Sequence, residues 1–450
     1  MKKFNVAMLF VAALVIGAVI FTGCPGKVAK DANSKNLTVL NYADMTAPNT
    51  AATQGWTWGT FRDSNPDISL MIEDLFNEPF HNKTEAYSAS GNMPDVLYVW
   101  PSGRSTSLHQ NKQLKDLTPL IEKDGLKRIY NPVAMDPSQQ ASGYLAMIPL
   151  TITATHMFFV NTEVLNAAGL QPAKTYAELV AQVPVLKARG YQTVVMPNAD
   201  TWVMQSCMFS MIAGRFGGAD WHDKILKGQA KFTDPDFVNA LDFIRKLYAD
   251  GVIDQTSIAT SYGDGPALFA NNQGAYYIDG DWRVGAFITD SSTGVALIPP
   301  ARQGNIKLSV FPDIDGVKFN KSNSGVLGTG WAMDASIPAG SPREDAAWKL
   351  IKWLTSREVQ TRGVNEGAYR AAARTDINPA DLRLEPIQVS AGNFDSEYST
   401  MTVVIDAVFH SDVFGVINDG LQEIGMGTKT PQQVAEATQK AFDTWKASNK

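Results

Sequence analysis

Short apolar runs that read as β-strands alternate with helical patterns along most of the 450 residues, and that alternation restricts the chain to an α/β architecture built on mostly parallel sheets. The clearest strands are Leu37 to Tyr42, Asp95 to Trp100, Met157 to Asn161, Thr193 to Met196 and Ala275 to Asp279, each bounded by Pro, Gly, Asn or Asp. Helix ends are equally marked. Asp234-Pro235 supplies a cap and a first-turn proline ahead of Phe237, Leu241, Ile244 and Tyr248, and Gly251 stops the run. Ser341-Pro342-Arg343-Glu344 and Thr430-Pro431-Gln432-Gln433 are capping boxes that open further amphipathic helices. Pro184 lies about two turns into a helix opened at Thr175, where a missing backbone donor predicts a kink or an early stop. The length exceeds one ordinary core, so two domains are expected. The glycine-rich stretch Ser322 to Gly330 is the best candidate for a crossing between them.

The first 23 residues carry Lys2 and Lys3, an apolar run from Phe4 to Phe21, and then Thr22-Gly23-Cys24. This reads as a secretion signal over residues 1–23. It is similar to the bacterial lipoprotein pattern, in which a cysteine such as Cys24 is lipidated and becomes the new N-terminus; Phe21 stands where that pattern prefers an aliphatic residue. The run also approaches the length of a membrane span, so an uncleaved anchor is the alternative. Residues 24–36 read as a flexible lipidated tether. Behind it only Cys207 remains, which excludes a disulfide within the body and a cysteine metal site. A formal net charge of −6 argues against nucleic acid as a partner.

Several segments, in order, carry a family resemblance. Phe61 to Ile68 matches an F-x-x-x-N-P-D-I pattern, Met93-Pro94-Asp95-Val96 a P-D-V strand entry, and Leu114 to Leu120 an L-x-D-L-T-P run. Tyr144 to Pro149 precedes a crossover, Phe159-Val160-Asn161 is followed by Ala168-Gly169-Leu170 and Thr175 to Leu179, and Ala270 to Trp282 ends on Gly-Asp-Trp. The helix from Pro342 to Thr361, with Ser356, Glu358 and Gln360, completes the set. Together they resemble the family 1 extracellular solute-binding proteins of ABC importers, the maltose-binding-protein-like carbohydrate receptors. The resemblance implies a periplasmic-binding-protein-like fold, two discontinuous α/β lobes joined by a multi-segment hinge. The lobes are expected at residues 37–152 plus 296–330 and 155–295 plus 331–450, with crossings near 150–156, 293–298 and 325–333.

Ligand crevices in open α/β sheets lie beyond the carboxyl ends of strands. By that rule Asp44, Trp100, Arg104, Trp202, Asp281 and Trp282 are candidate ligand residues, with Trp331 at a crossing and Trp58 and Trp56 weighed beside them. The resemblance implies that Trp100, Arg104 and Trp282 face the ligand, and that Tyr369 and Arg370 sit on a loop that reaches it. A sugar presents an apolar face and a rim of hydroxyls, so tryptophans with nearby Asp and Arg suit it. Core packing is the alternative for each tryptophan, and a cap or surface pair for Asp44 and Arg104.

His81, His109, His156, His222 and His410 lack metal spacing, Asp313-Ile314-Asp315-Gly316 lacks the later ligands of a calcium loop, and nucleotide and nucleophile-elbow motifs are missing. Asp279 and Asp281 stand at a strand end and are read as a poor acid/base pair. The expectation is a monomeric, non-catalytic receptor without cofactor or metal. It captures a carbohydrate, stays at the membrane through Cys24 and delivers to permease subunits. A peptide, polyamine or polyol phosphate as ligand, or a glycan-active enzyme, are the alternatives.

Overall fold

The structure, a computed structural model, describes residues 30–448. The signal at 1–23, Cys24 and the start of the tether lie outside the described residues. In chain order the strands are β1 (Asn36–Tyr42), β2 (Ser69–Leu75), β3 (Val96–Val99), β4 (Met147–Pro149), β5 (Thr153–Asn161), β6 (Gln192–Val195), β7 (Gly274–Gly280), β8 (Ile306–Ser309), β9 (Ser322–Leu327), β10 (Gly330–Met333) and β11 (Thr400–Val403). They form two sheets, ordered β2-β1-β3-β10-β4 and β11-β9-β5-β7-β6, with β8 also paired to β5.

Each sheet anchors its own lobe. In the first, Val39, Val96, Ile148 and Met333 meet Phe61 and Trp58 of the helix Thr50–Ser64 and Leu350 of the helix Pro342–Leu354. In the second, Phe158, Val194 and Ile278 pack on Ile244 of the helix Pro235–Ala249 and on Ile417 and Leu421 of the helix Ser411–Gly425. The lobes are discontinuous, as the resemblance implies, and the sheets are mixed where mostly parallel ones were expected. β10 runs antiparallel to β3 and β4, and β5 antiparallel to β7, β8 and β9. The reason is that chain returning through the hinge enters each sheet from the opposite end.

Strand pairing also corrects the expected lobe boundaries. β8 and β9 belong to the second sheet and β10 to the first, so residues 306–327 leave lobe 1 and Gly330–Met333 leave lobe 2. The helices Pro342–Leu354 and Arg357–Asn365 follow β10, and the chain returns to the second lobe by the helix Pro386–Gly392, where Ile387 packs near Phe287 and Ile306. The stretch 293–298 is no crossing, because Ile298 is already in that second-lobe cluster.

Three segments meet at the hinge. The Leu150 N–H donates to the Thr329 carbonyl at 2.8 Å, Gly328 N–H to Ile152 at 2.8 Å, and Ala373 N–H to Leu150 at 2.9 Å. Gly328 is required here, since a Cβ on it would lie 1.7 Å from the Thr151 carbonyl oxygen.

Local signals mostly operate as their chemistry dictates. Ser341 accepts from Glu344 N–H at 3.1 Å, and Thr430 and Gln433 cap each other reciprocally. The helix Tyr176–Lys187 runs through Pro184 for three more residues, so the one missing i→i−4 donor does not stop it at that position. Residues 30–36 are docked where a free tether was expected. Lys30 lies 2.9 Å from Asp95 and 2.8 Å from Asp334, and Arg343 bonds Asp95 while donating to the carbonyls of Asp31 and Asn36. The buried Asp95 carboxylate explains this: burial opposes its charge, and Arg343 and Lys30 outweigh that and hold its pKa below the ordinary value. Replacing Arg343→Leu leaves the carboxylate with Lys30 as its remaining cation, beside the Thr38 donors, and is expected to cost about 3 kcal/mol, read from urea unfolding; an unchanged midpoint would contradict this role.

Candidate functional site

Rigid rotation of two sheets about a common seam leaves a gap along that seam. A cleft of about 380 Å³ occupies it, within the usual range for small-ligand sites. It is lined by Asp44, Trp58, Trp100, Arg104, Trp202, Asp281, Trp282, Trp331 and Tyr369, which are nine of the eleven residues weighed from the sequence.

The first-lobe wall is aromatic. Trp100 follows β3, and its ring meets Tyr42 at 5.1 Å and Tyr98 at 5.4 Å; Tyr98 stacks on Tyr42 at 5.5 Å and meets Trp331 edge-on at 5.6 Å, while Trp331 meets Trp58 at 6.0 Å. Trp58 and Trp331 are core residues with one surface turned to the cleft, being only 5% and 4% exposed. Trp56 is absent from the lining and packs with Trp353 under Arg362. Asp44 accepts from Thr46 in its own turn.

On the second-lobe wall Trp202 lies 4.8 Å from Tyr262 and 6.5 Å from Trp282. Trp202 opens into a π-helical turn, Met204–Phe209, which places Ser206 on the same wall. The Trp282 indole N–H donates to the Tyr262 hydroxyl at 2.6 Å, and that hydroxyl donates to Asp279 at 3.2 Å. Asp279 is fully buried and also accepts from Gly280 N–H, Arg283 and the Tyr277 hydroxyl. The Arg283 guanidinium stacks 3.9 Å from the Tyr262 ring centre. This network fixes the plane of Trp282.

Asp281 turns the other way, because β7 ends at Gly280 and a 3₁₀ turn begins at Asp281, and it accepts from Thr155 N–H and Arg370. Arg370 is a correction: it does not line the cleft, because Asp281 at 3.0 Å and Asp395 at 2.9 Å hold its guanidinium inside the second lobe. Arg104 bridges the lobes, pairing with Glu78 at 2.8 Å and with Asp406 of the second lobe at 3.5 Å. The sequence reading missed Tyr42, Tyr98, Tyr262, Arg283 and Asp406. Arg283 had a signal, its four-residue spacing from Asp279; Tyr262 and Asp406 had none, since they enter from a turn and a short helix, Ile405–Val408, distant in sequence.

The cleft has a distinctive polar balance. Its arginines, Arg104 and Arg283, are paired with carboxylates, while Trp58 Nε1, Trp202 Nε1 and Arg283 Nη2 are buried donors without a partner. Buried unpaired donors cost stability unless an acceptor arrives. Among the described residues no cluster of side chains could hold a metal ion, and no helix is long and apolar enough to cross a membrane.

Two histidines are held neutral. Burial pushes His156 down to about 3, and burial with the nearby Arg104 charge pushes His81 down to about 3. A depressed folded-state value stabilises the fold fully above the ordinary value of 6.5 and loses that contribution as pH falls toward 3. His81→Phe is therefore expected to flatten the fall in melting temperature between pH 6.5 and 4.5, measured by calorimetry; an identical slope would contradict it.

The family model for bacterial extracellular solute-binding proteins matches residues 43–361. A maltotriose-binding protein of Pyrococcus abyssi is 21% identical over 325 residues, covering 72% of this chain and 64% of that protein. An uncharacterised ABC transporter extracellular-binding protein of Pyrococcus horikoshii is 22% identical, covering 64% of this chain and 66% of its own length, so the match spans just under two thirds of these relatives. Among solved structures, a chitin oligosaccharide binding protein superposes with a TM-score of 0.79 at 20% identity, covering 91% of this chain and 98% of that one. A protein from the xylan-utilisation system of Caldanaerobius polysaccharolyticus does so with 0.79 at 20% identity, covering 90% and 99%. With most of its length matched by that family model and its two lobes hinged as described, the chain belongs to the bacterial extracellular solute-binding protein family.

Proposed function

We propose that the chain is the extracytoplasmic receptor of an ABC importer, that it captures a neutral oligosaccharide in the interlobe cleft without catalysis, and that the closed form delivers it to the permease. The observation that carries the ligand class is the cleft's polar balance. Both arginines on its walls are already neutralised, so an anionic ligand finds no free countercharge, which leaves the cleft to a neutral ligand whose polar groups are hydroxyl and ring oxygens. Tryptophan from both lobes supplies flat apolar surface for the C–H faces of the rings. This disfavours a polyol phosphate or a peptide carboxylate. A polyamine would need several free carboxylates, and Asp281, Glu366 and Asp406 on the walls are each paired with an arginine, which leaves Asp44, bonded to Thr46, as a single carboxylate outside those pairs.

The non-catalytic reading has its own support. Ser206 Oγ lies 3.4 Å from His156 Nε2, but the other ring nitrogen faces the Ser324 hydroxyl at 2.6 Å in place of a carboxylate, and an imidazole with a pKa near 3 is a weak base. Relatives named for maltotriose and chitin oligosaccharide binding agree with the ligand class. Lipidation at Cys24 and a monomeric state belong to the same proposal and fit a receptor that must stay beside its permease.

Ligand that binds only the folded chain raises its melting temperature. Maltotriose, xylotriose and chitotriose are to be screened beside spermidine, glycerol phosphate and a tripeptide. At least one neutral sugar is expected to shift the melt, and Trp100→Ala and Trp282→Ala each to weaken its binding by about tenfold or more in calorimetry. A shift by the charged ligands alone would sink the proposal.

A further inference from the structure

The helix Thr50–Ser64 begins at Asn49, a residue type that normally caps its own helix with its side chain. Asn49 does not. Its backbone takes φ +63°, it is 3% exposed, and its side chain spends both ends on the other lobe. Asn49 Nδ2 donates to the Thr289 carbonyl at 3.0 Å, Asn49 Oδ1 accepts from Ser291 N–H at 2.7 Å, and Asn49 N–H donates to Asp290 Oδ2 at 2.8 Å.

The receiving loop is built to hold that geometry. Asp290 Oδ1 accepts from the N–H groups of Ser292 and Thr293, each at 2.9 Å, and Glu385 accepts from Thr289 N–H at 2.9 Å. Asn49 N–H, with the Ser292 and Thr293 donors, keeps the Asp290 carboxyl well below the ordinary carboxylate range, so it is charged while bonded. The first lobe contributes a backbone in the left-handed region and the second a turn wound around one carboxylate. Neither residue is among those lining the cleft.

We infer that Asn49 and Asp290 form an interlobe clasp that holds part of the sugar-free population closed and thereby sets ligand affinity from outside the binding surface. Affinity through a closed form scales with how much of that form is populated beforehand. Asn49 and Asp290 are thus positioning residues: they act on the lobe angle and touch no ligand. The inference rests on the closure reading of the cleft and adds that direct lobe-to-lobe hydrogen bonds contribute to it.

The test needs no sugar. Spin labels are attached to Asp63→Cys on lobe 1 and Lys307→Cys on lobe 2, both exposed positions, in the full chain carrying Cys24→Ser, and the interlobe distance is measured by double electron–electron resonance. Asn49→Gly keeps the backbone conformation and removes two of the three bonds. It is expected to lower the ratio of closed to open distances about tenfold. Asp290→Asn, which keeps the shape and removes the charge, should do so to a smaller degree and serves if the glycine variant melts early. Sugar-free distance distributions identical to the parent in both variants overturn the clasp. If added oligosaccharide still shortens the parent's distance in that case, lobe closure stands and the clasp alone fails; if no neutral sugar shortens it, the closure reading fails instead.

Discussion

Everything in this molecule depends on three chain segments hydrogen-bonded to one another where the lobes meet. Leu150, Gly328 and Ala373 lie within single backbone hydrogen bonds of the adjoining strand, and the close pass of Gly328 over Thr151 leaves no room for a side chain. Three adjoining crossings resist shear and twist but permit rotation about their common line. Each lobe carries its own apolar core, so such a rotation breaks neither. The cleft lies on the axis side of that rotation, which is why one ligand can touch both walls.

Charge placement then decides what the cleft accepts. Each arginine on its walls has a carboxylate partner, and the partners are built in from different places: Asp279 from the carboxyl end of β7, Asp406 from the opposite lobe, Glu78 from the start of the helix Glu78–Ser90. The arginines therefore act as rigid donors and as platforms for aromatic rings more than as free charges. Tyr262 shows the economy of the arrangement, since one side chain fixes Trp282 by its hydroxyl and Arg283 by its ring.

Much of this was legible in the sequence because strand ends are legible. β3 and β7 are short apolar runs with sharp boundaries, so Trp100, Arg104, Asp281 and Trp282 could be placed at a crevice from position alone. The lobe boundary after β8 was not legible, because pairing between β5 and β8 joins residues 158–161 to 306–309, and no local pattern announces a partner that remote. Arg370 was misplaced for a related reason: its ion pairs with Asp281 and Asp395 draw it inward, and sequence proximity to Tyr369 says nothing of them. The docked segment at residues 30–36 looked like linker by composition, and the buried Asp95 and Asp334 carboxylates explain why Lys30 is held.

Small-angle X-ray scattering of the chain with and without neutral oligosaccharide tests the central claim most directly. The account predicts a smaller radius of gyration on saturation with the sugar that binds, and no contraction with phosphorylated or polycationic compounds. Tight sugar binding with an unaltered scattering curve from a demonstrably open starting form, or contraction driven only by a charged compound, would contradict it.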